Sequence, residues 1–153
     1  MAMLDTIAIL DMEKGVTRWS QQGPFGMQHG PRPTPGGNII LFNNFLTAER
    51  SSVLTLDPRT RRVIREYTGP ILEPLHSKRS GRVQVLPNGN TLVVETDRGR
   101  ALELTEGGEA VWEFRSPYRV RGRGDKIAGL YSLERVGADQ TSWLGSKKKN
   151  TSQ

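Results

Sequence analysis

The chain has 153 residues, a net charge of +6 and no cysteine, which fits one domain with a buried core. The missing thiols exclude a disulfide framework and a thiolate metal site, while leaving the compartment open. No apolar run nears the roughly 18 residues of a spanning helix, and "MAMLDTIAILDMEKG" lacks the basic start of a signal peptide, so no membrane partner is expected.

In chain order, "ILDMEKGVTRW" (9–19) reads as an alternating strand, a polar turn and a second strand ending in an aromatic. The same arrangement returns in "LTLDPRTRRVIREY" (54–67) and "LELTEGGEAVWEF" (102–114). Leu10, Leu56 and Leu104 mark the repeat at intervals of 46 and 48. A second motif alternates with it: "TPGGNIILFNN" (34–44) matches "LPNGNTLVVET" (86–96), with Asn38 and Asn90 52 apart. Gly and Asn in the PGGN and PNGN turns tolerate the positive φ of tight hairpins. Four antiparallel strands per roughly 50 residues is the period of a β-propeller blade.

The predicted fold is therefore all-β, made of four-stranded antiparallel blades. Residues 1–26 supply the last two strands of a blade, 27–70 a complete blade, and 71–117 a linker and a second complete blade. Residues 118–145 hold a basic loop and a terminal strand, "DKIAGLYSLERV", and 146–153 form a polar, disordered basic tail. That totals about two and three-quarter blades, whereas a propeller ring closes with at least four. The expectation is an incomplete ring, either part of a longer protein, which a Met1 inside a blade favours, or completed by further copies through open blade edges.

The charge does not single out a nucleic-acid partner. Lys147, Lys148 and Lys149 lie in the tail, while Arg115, Arg119, Arg121, Arg123 and Lys126 lie in a linker with only Tyr118 to stack. Trp19, Tyr67, Trp112 and Phe114 are expected to pack between blades. Glu95, Asp97 and Arg98 are expected as a blade-edge ion pair, and Asn88-Gly89-Asn90 as turn chemistry. The two histidines, His29 and His76, lie 47 apart without a carboxylate cluster, so no metal or other cofactor is expected.

The order "GPFGMQHGPRPTPGGNIILFNN", "SSVLTLDPRTRRVIREYTGP", "SGRVQVLPNGNTLVVETDRGRALELTEGGEAVWEFRSP" and "IAGLYSLERV…SWLG" resembles the C-terminal third of the arylsulfotransferase-type propellers. These are also described as arylsulfate sulfotransferase-like or PQQ-like β-propeller proteins. The resemblance covers residues 5 to about 145. It implies sulfuryl transfer from a phenolic sulfate ester to a phenol acceptor through a transient sulfohistidine, in relatives that are often exported. A neutral imidazole suits the task, because its ordinary pKa near 6.5 leaves a lone pair available at neutral pH. Charge spreads over the peripheral oxygens during in-line transfer, so cations or N–H donors must surround the group.

Carried over by residue, the resemblance makes His29, in the QH position, the catalytic candidate. Asn44, His76, Arg50 and Arg79 are the substrate-binding candidates. Two departures stand out. Asn43 occupies a position where the family commonly has Asp, and Ser52 one where it has a sulfate-binding arginine. The alternative function is a non-catalytic propeller fragment that binds a partner or its own copies.

Overall fold

The computed structural model describes residues 2–47 and 49–144. The expected tail at 146–153, with Lys147, Lys148 and Lys149, lies outside the described residues. A short 3-10 turn, Ala2–Leu4, precedes ten strands: β1 (Thr6–Asp11), β2 (Val16–Gln22), β3 (His29–Pro33), β4 (Ile39–Thr47), β5 (Arg50–Asp57), β6 (Arg62–Tyr67), β7 (Arg82–Val85), β8 (Thr91–Glu95), β9 (Arg100–Leu104) and β10 (Ala110–Arg115). They form a two-stranded sheet, β1-β2, and two four-stranded antiparallel sheets, β3-β4-β5-β6 and β7-β8-β9-β10. Each larger sheet is a blade in which the chain steps outward strand by strand.

The hairpins follow from their turn residues. Gly37 and Gly89 have φ of +77° and +84°, which only glycine adopts freely. Thr34 N–H donates to Asn38 O at 2.8 Å, and Leu86 N–H donates to Asn90 O at 2.8 Å. The two repeats of the motif therefore close in the same way.

"NIILFNN" is continuously apolar at its centre because both faces of β4 are buried. Ile40 and Phe42 point into a core shared with Val53 of the same blade, Leu75 of the linker, and Val83, Val93, Leu102 and Leu104 of the next blade. Ile39 and Leu41 point the other way, into a core with Ile7, Phe25, Leu54 and Leu56. One strand thus cements two interfaces, each buried side chain contributing about 1.5–3 kcal/mol. Trp19 and Val63 pack on the second cluster, and Tyr67 on the first. Trp112 instead stacks on Phe114, with ring centroids 6.4 Å apart, and takes the Arg135 guanidinium over its face at 5.7 Å.

Contact between the two blades runs through β3, β4 and β7. The blades are wedges, closest at their first strands, which is the geometry of a propeller. Beside β1 the two positions that β3 and β4, or β7 and β8, fill in the other sheets carry no strand of the described chain. A cleft of about 350 Å³ lies there, lined by Ile7, Ile9, Trp19, Pro31, Pro33 and Ile39 among others.

The strand expected within 118–145 does not form. Arg119 and Ile127 make an isolated antiparallel bridge, and residues 128–137 have no strand pairing. The segment instead runs along the outer face of the last blade. Leu130 N–H donates to Thr96 O at 3.0 Å, and the Arg135 backbone exchanges two 3.0 Å hydrogen bonds with the Gln84 side chain. Arg135 also pairs with Glu103. The alternation in "LYSLERV" is real, but among the described residues no further strand is present for it to pair with. A 3-10 segment, Ala138–Leu144, follows.

Candidate functional site

His29 opens β3, and Asn44 lies near the end of β4, the neighbouring strand. His29 is in register with Phe42, so the end of the β3–β4 pair brings the imidazole beside Asn44. His29 Nδ1 lies 2.8 Å from Met27 O and 2.8 Å from Asn44 Oδ1. The Asn44 amide nitrogen donates to Ser77 O at 2.7 Å and to Ser80 O at 2.9 Å. Asn44 is 2% exposed, and its amide groups are occupied by these contacts. His29 is half-buried, and its Nε2 makes no hydrogen bond to a described residue.

The loop entering the second blade is held from three sides. Ser51 Oγ, fully buried at the start of β5, donates toward Asn44 O and Ser77 O at 3.0 and 3.2 Å. It accepts Ser77 N–H at 3.0 Å. Ser77 Oγ accepts Asp97 N–H at 3.2 Å, and Asp97 Oδ2 accepts Lys78 N–H at 2.7 Å. Gly81 follows this loop, where the repeat sets it against His29. A Cβ there would lie 2.7 Å from Phe42 Cε1 and closer still to Cγ and Cδ1, so only glycine lets the ring in.

The remaining sequence candidates are arranged less tightly. His76 is half-buried, and its Nδ1 lies 2.8 Å from Glu49 O on the β4–β5 connection, away from the His29 ring contacts. Arg50 and Arg79 are exposed, and neither guanidinium has a hydrogen bond or ion pair to a described residue. Each is the chain neighbour of a residue bound to Asn44: Arg50 precedes Ser51, and Arg79 precedes Ser80. Ser52, where the resemblance implies an arginine, is fully buried and accepts Asn43 Nδ2–H at 3.1 Å. Asn43 Oδ1 in turn accepts Gly26 N–H at 2.9 Å.

Beneath the loop lies a charged network that takes in Glu95 and Arg98, two of the three residues expected at the blade edge. Glu95 and Arg100 are both 1% exposed and meet at 2.5 Å. Arg100 also reaches Glu73 at 2.9 Å, and Arg98 stands 3.5 Å from Glu95. Glu95 additionally accepts His76 N–H. The Arg115 hydrogen bond, with help from Arg100, holds the Glu73 carboxyl below its ordinary pKa. No local pattern marks Arg100 as buried; only the pairing with Glu95 across the β8–β9 hairpin brings them together.

Four-stranded antiparallel blades packed as wedges, with a histidine presented at their junction, define a β-propeller-type chain. A family model described as arylsulfotransferase (ASST) matches residues 1–117, and the chain belongs to that family. No curated protein sequence matches it significantly. Among solved structures it is similar to virginiamycin B lyase from Staphylococcus aureus, with 20% identity and a TM-score of 0.51. That match covers 74% of this chain and 35% of the other. A catalytically inactive variant of the same lyase with quinupristin is similar at 19% identity and a TM-score of 0.51, covering 76% and 36%. At these identities the likeness concerns the fold alone. The chain spans about a third of the length of these structures.

Proposed function

We propose that the chain carries the histidine-bearing part of an arylsulfotransferase-type site, in which His29 accepts a sulfuryl group from a phenolic sulfate ester and passes it to a phenol. The observation that carries this reading is the His29 ring itself. One nitrogen is held by two oxygens of the chain, while the other makes no hydrogen bond to a described residue. In the forward step the Nε2–S bond forms as the S–O(aryl) bond breaks, and the electron pair leaves with the phenolate. In the return step the acceptor oxygen bonds to sulfur, the pair returns to Nε2, and the acceptor's proton passes to solvent or to the departed phenolate. Arg50 and Arg79 flank the Asn44 anchor and are the cations offered to the sulfate oxygens, with His76 on the same β6–β7 connection as Arg79. The burial of Ser52 removes the family's arginine from that set.

The open side of β1 favours a second reading, a non-catalytic fragment whose blade edge takes up a partner or another copy. Turnover of a phenolic sulfate by wild-type and His29→Ala protein separates the two. Turnover lost in the variant supports transfer; equal, near-zero rates sink it for this chain. Light scattering then tests the second reading, which a strictly monomeric mass would remove for self-assembly.

A further inference from the structure

We propose that Asn44 is a positioning residue that fixes the protonation of His29, keeping the proton on Nδ1 and presenting the Nε2 lone pair outward. The role of Nε2 as sulfuryl acceptor rests on the function proposed above; the location of the proton does not.

The partners decide the tautomer. Ser77 O and Ser80 O are carbonyl oxygens and can only accept, so the end of the Asn44 amide facing them must be its NH₂ group. Both of its N–H bonds are then used, one per carbonyl. The end turned to His29 is therefore Oδ1, an acceptor, and the ring nitrogen 2.8 Å away must donate. Met27 O, also 2.8 Å away, makes the same demand independently. A neutral imidazole carries one N–H. With that proton on Nδ1, Nε2 bears the lone pair, although an unrestrained imidazole in water favours the opposite arrangement.

Reversing the Asn44 amide would press its oxygen against two carbonyl oxygens at a position 2% exposed, where water cannot compensate. The amide is thus keyed by the second blade, and the imidazole by the amide. The chemistry gains twice. Nε2 can attack sulfur without first losing a proton, so no general base is required at His29. Nδ1 keeps its proton through the transfer, and the positive charge on the sulfonated ring faces two oxygens already in place, one belonging to an amide polarised by the two hydrogen bonds its nitrogen donates.

The test is nitrogen-15 NMR of histidine-labelled protein without substrate, above the pH at which imidazole titrates. The His76→Ala variant leaves His29 as the sole histidine signal. The expected spectrum shows a protonated, pyrrole-type Nδ1 and a bare, pyridine-type Nε2. A proton found on Nε2 in that spectrum overturns the proposal without any change at Asn44. In the same background Asn44→Ala is expected to populate the Nε2–H form measurably, because Met27 O alone then holds the ring. Identical tautomers in Asn44→Ala and wild type would also overturn it, assigning the constraint to Met27. Should Asn44→Ala not fold, Asn44→Ser, whose short hydroxyl also withdraws Oδ1 from the ring, takes its place, and the wild-type spectrum decides the proton's location independently. In turnover of a phenolic sulfate, Asn44→Ala should lower kcat at least tenfold with little change in KM. An Nδ1–H spectrum together with a chain inert toward phenolic sulfates would sink the reaction while leaving the tautomer standing.

Discussion

Asn43 and Ser52 face each other across β4 and β5, and the amide of the first donates to the hydroxyl of the second at 3.1 Å in a site sealed from solvent. The resemblance to the arylsulfotransferases places an acid at the first position and an arginine at the second. Both positions fall on one hydrogen-bonded pair, and the resemblance thus implies a neutral couple here where relatives would carry a charged one. Ser52→Arg alone should bury an unpaired cation and cost about 3 kcal/mol or more. Adding Asn43→Asp should recover about 1–3 kcal/mol of that loss. Urea denaturation of the four proteins of this double-mutant cycle measures the coupling, and additive effects would show that the two sites are independent.

Phe42 fills the junction between the blades only because Gly81 has no side chain. Gly81→Ala is expected to destabilise by about 1–3 kcal/mol as the ring is forced aside. The urea midpoint should fall while the m-value holds, because the change strains the native packing without altering the unfolded chain's exposure.

The buried Glu95–Arg100 pair should behave asymmetrically. Arg100→Met leaves Glu95 sealed in the interior with the His76 N–H and the longer contact to Arg98 as its remaining partners, and is expected to cost about 3–5 kcal/mol. Combining it with Glu95→Gln removes the stranded charge and should restore a large part of the stability. A double variant as unstable as the sum of the two single changes would show that the pair is not coupled.

Acid should expose two further carboxylates. Hydrogen bonding from Arg115 holds Glu73 below its ordinary value of 4.5, and hydrogen bonds from Asn90 and Asn88 hold Glu103 below the same value. A folded-state pKa below the unfolded one gives stability that is fully present above 4.5 and disappears as pH falls through the lowered value. Arg115→Gln should therefore shallow the acid limb of a plot of urea midpoint against pH, with its effect fading once Glu73 is protonated in both states. An unchanged limb would assign the acid sensitivity elsewhere.

The blades were legible because their determinants are local. Turn glycines, strand alternation and a fifty-residue period are written in neighbouring residues. The tie between His29 and Asn44 was half legible: both residues stand out, but the carbonyls of Ser77 and Ser80 belong to no motif, since any residue carries a backbone oxygen. Arg100 was missed for the converse reason. An arginine in an alternating strand reads as solvent-facing, and only the register of β9 with β8 reveals a buried carboxylate waiting for it. The segment around Leu133 kept a strand's alternation and formed none, because a strand is defined by its neighbour as much as by its own residues.

The contact from Asn44 to Ser80 spans 36 residues of chain, and the one to Ser77 spans 33. While the protein is being synthesised, the first blade can be complete before those carbonyls exist in place, and until then the Asn44 amide is not keyed and Met27 O is the imidazole's one fixed partner. On the proposal above, the full setting of the histidine is therefore completed by the docking of the second blade. A chain cut between Thr47 and Ser77 would keep the residue and lose its setting.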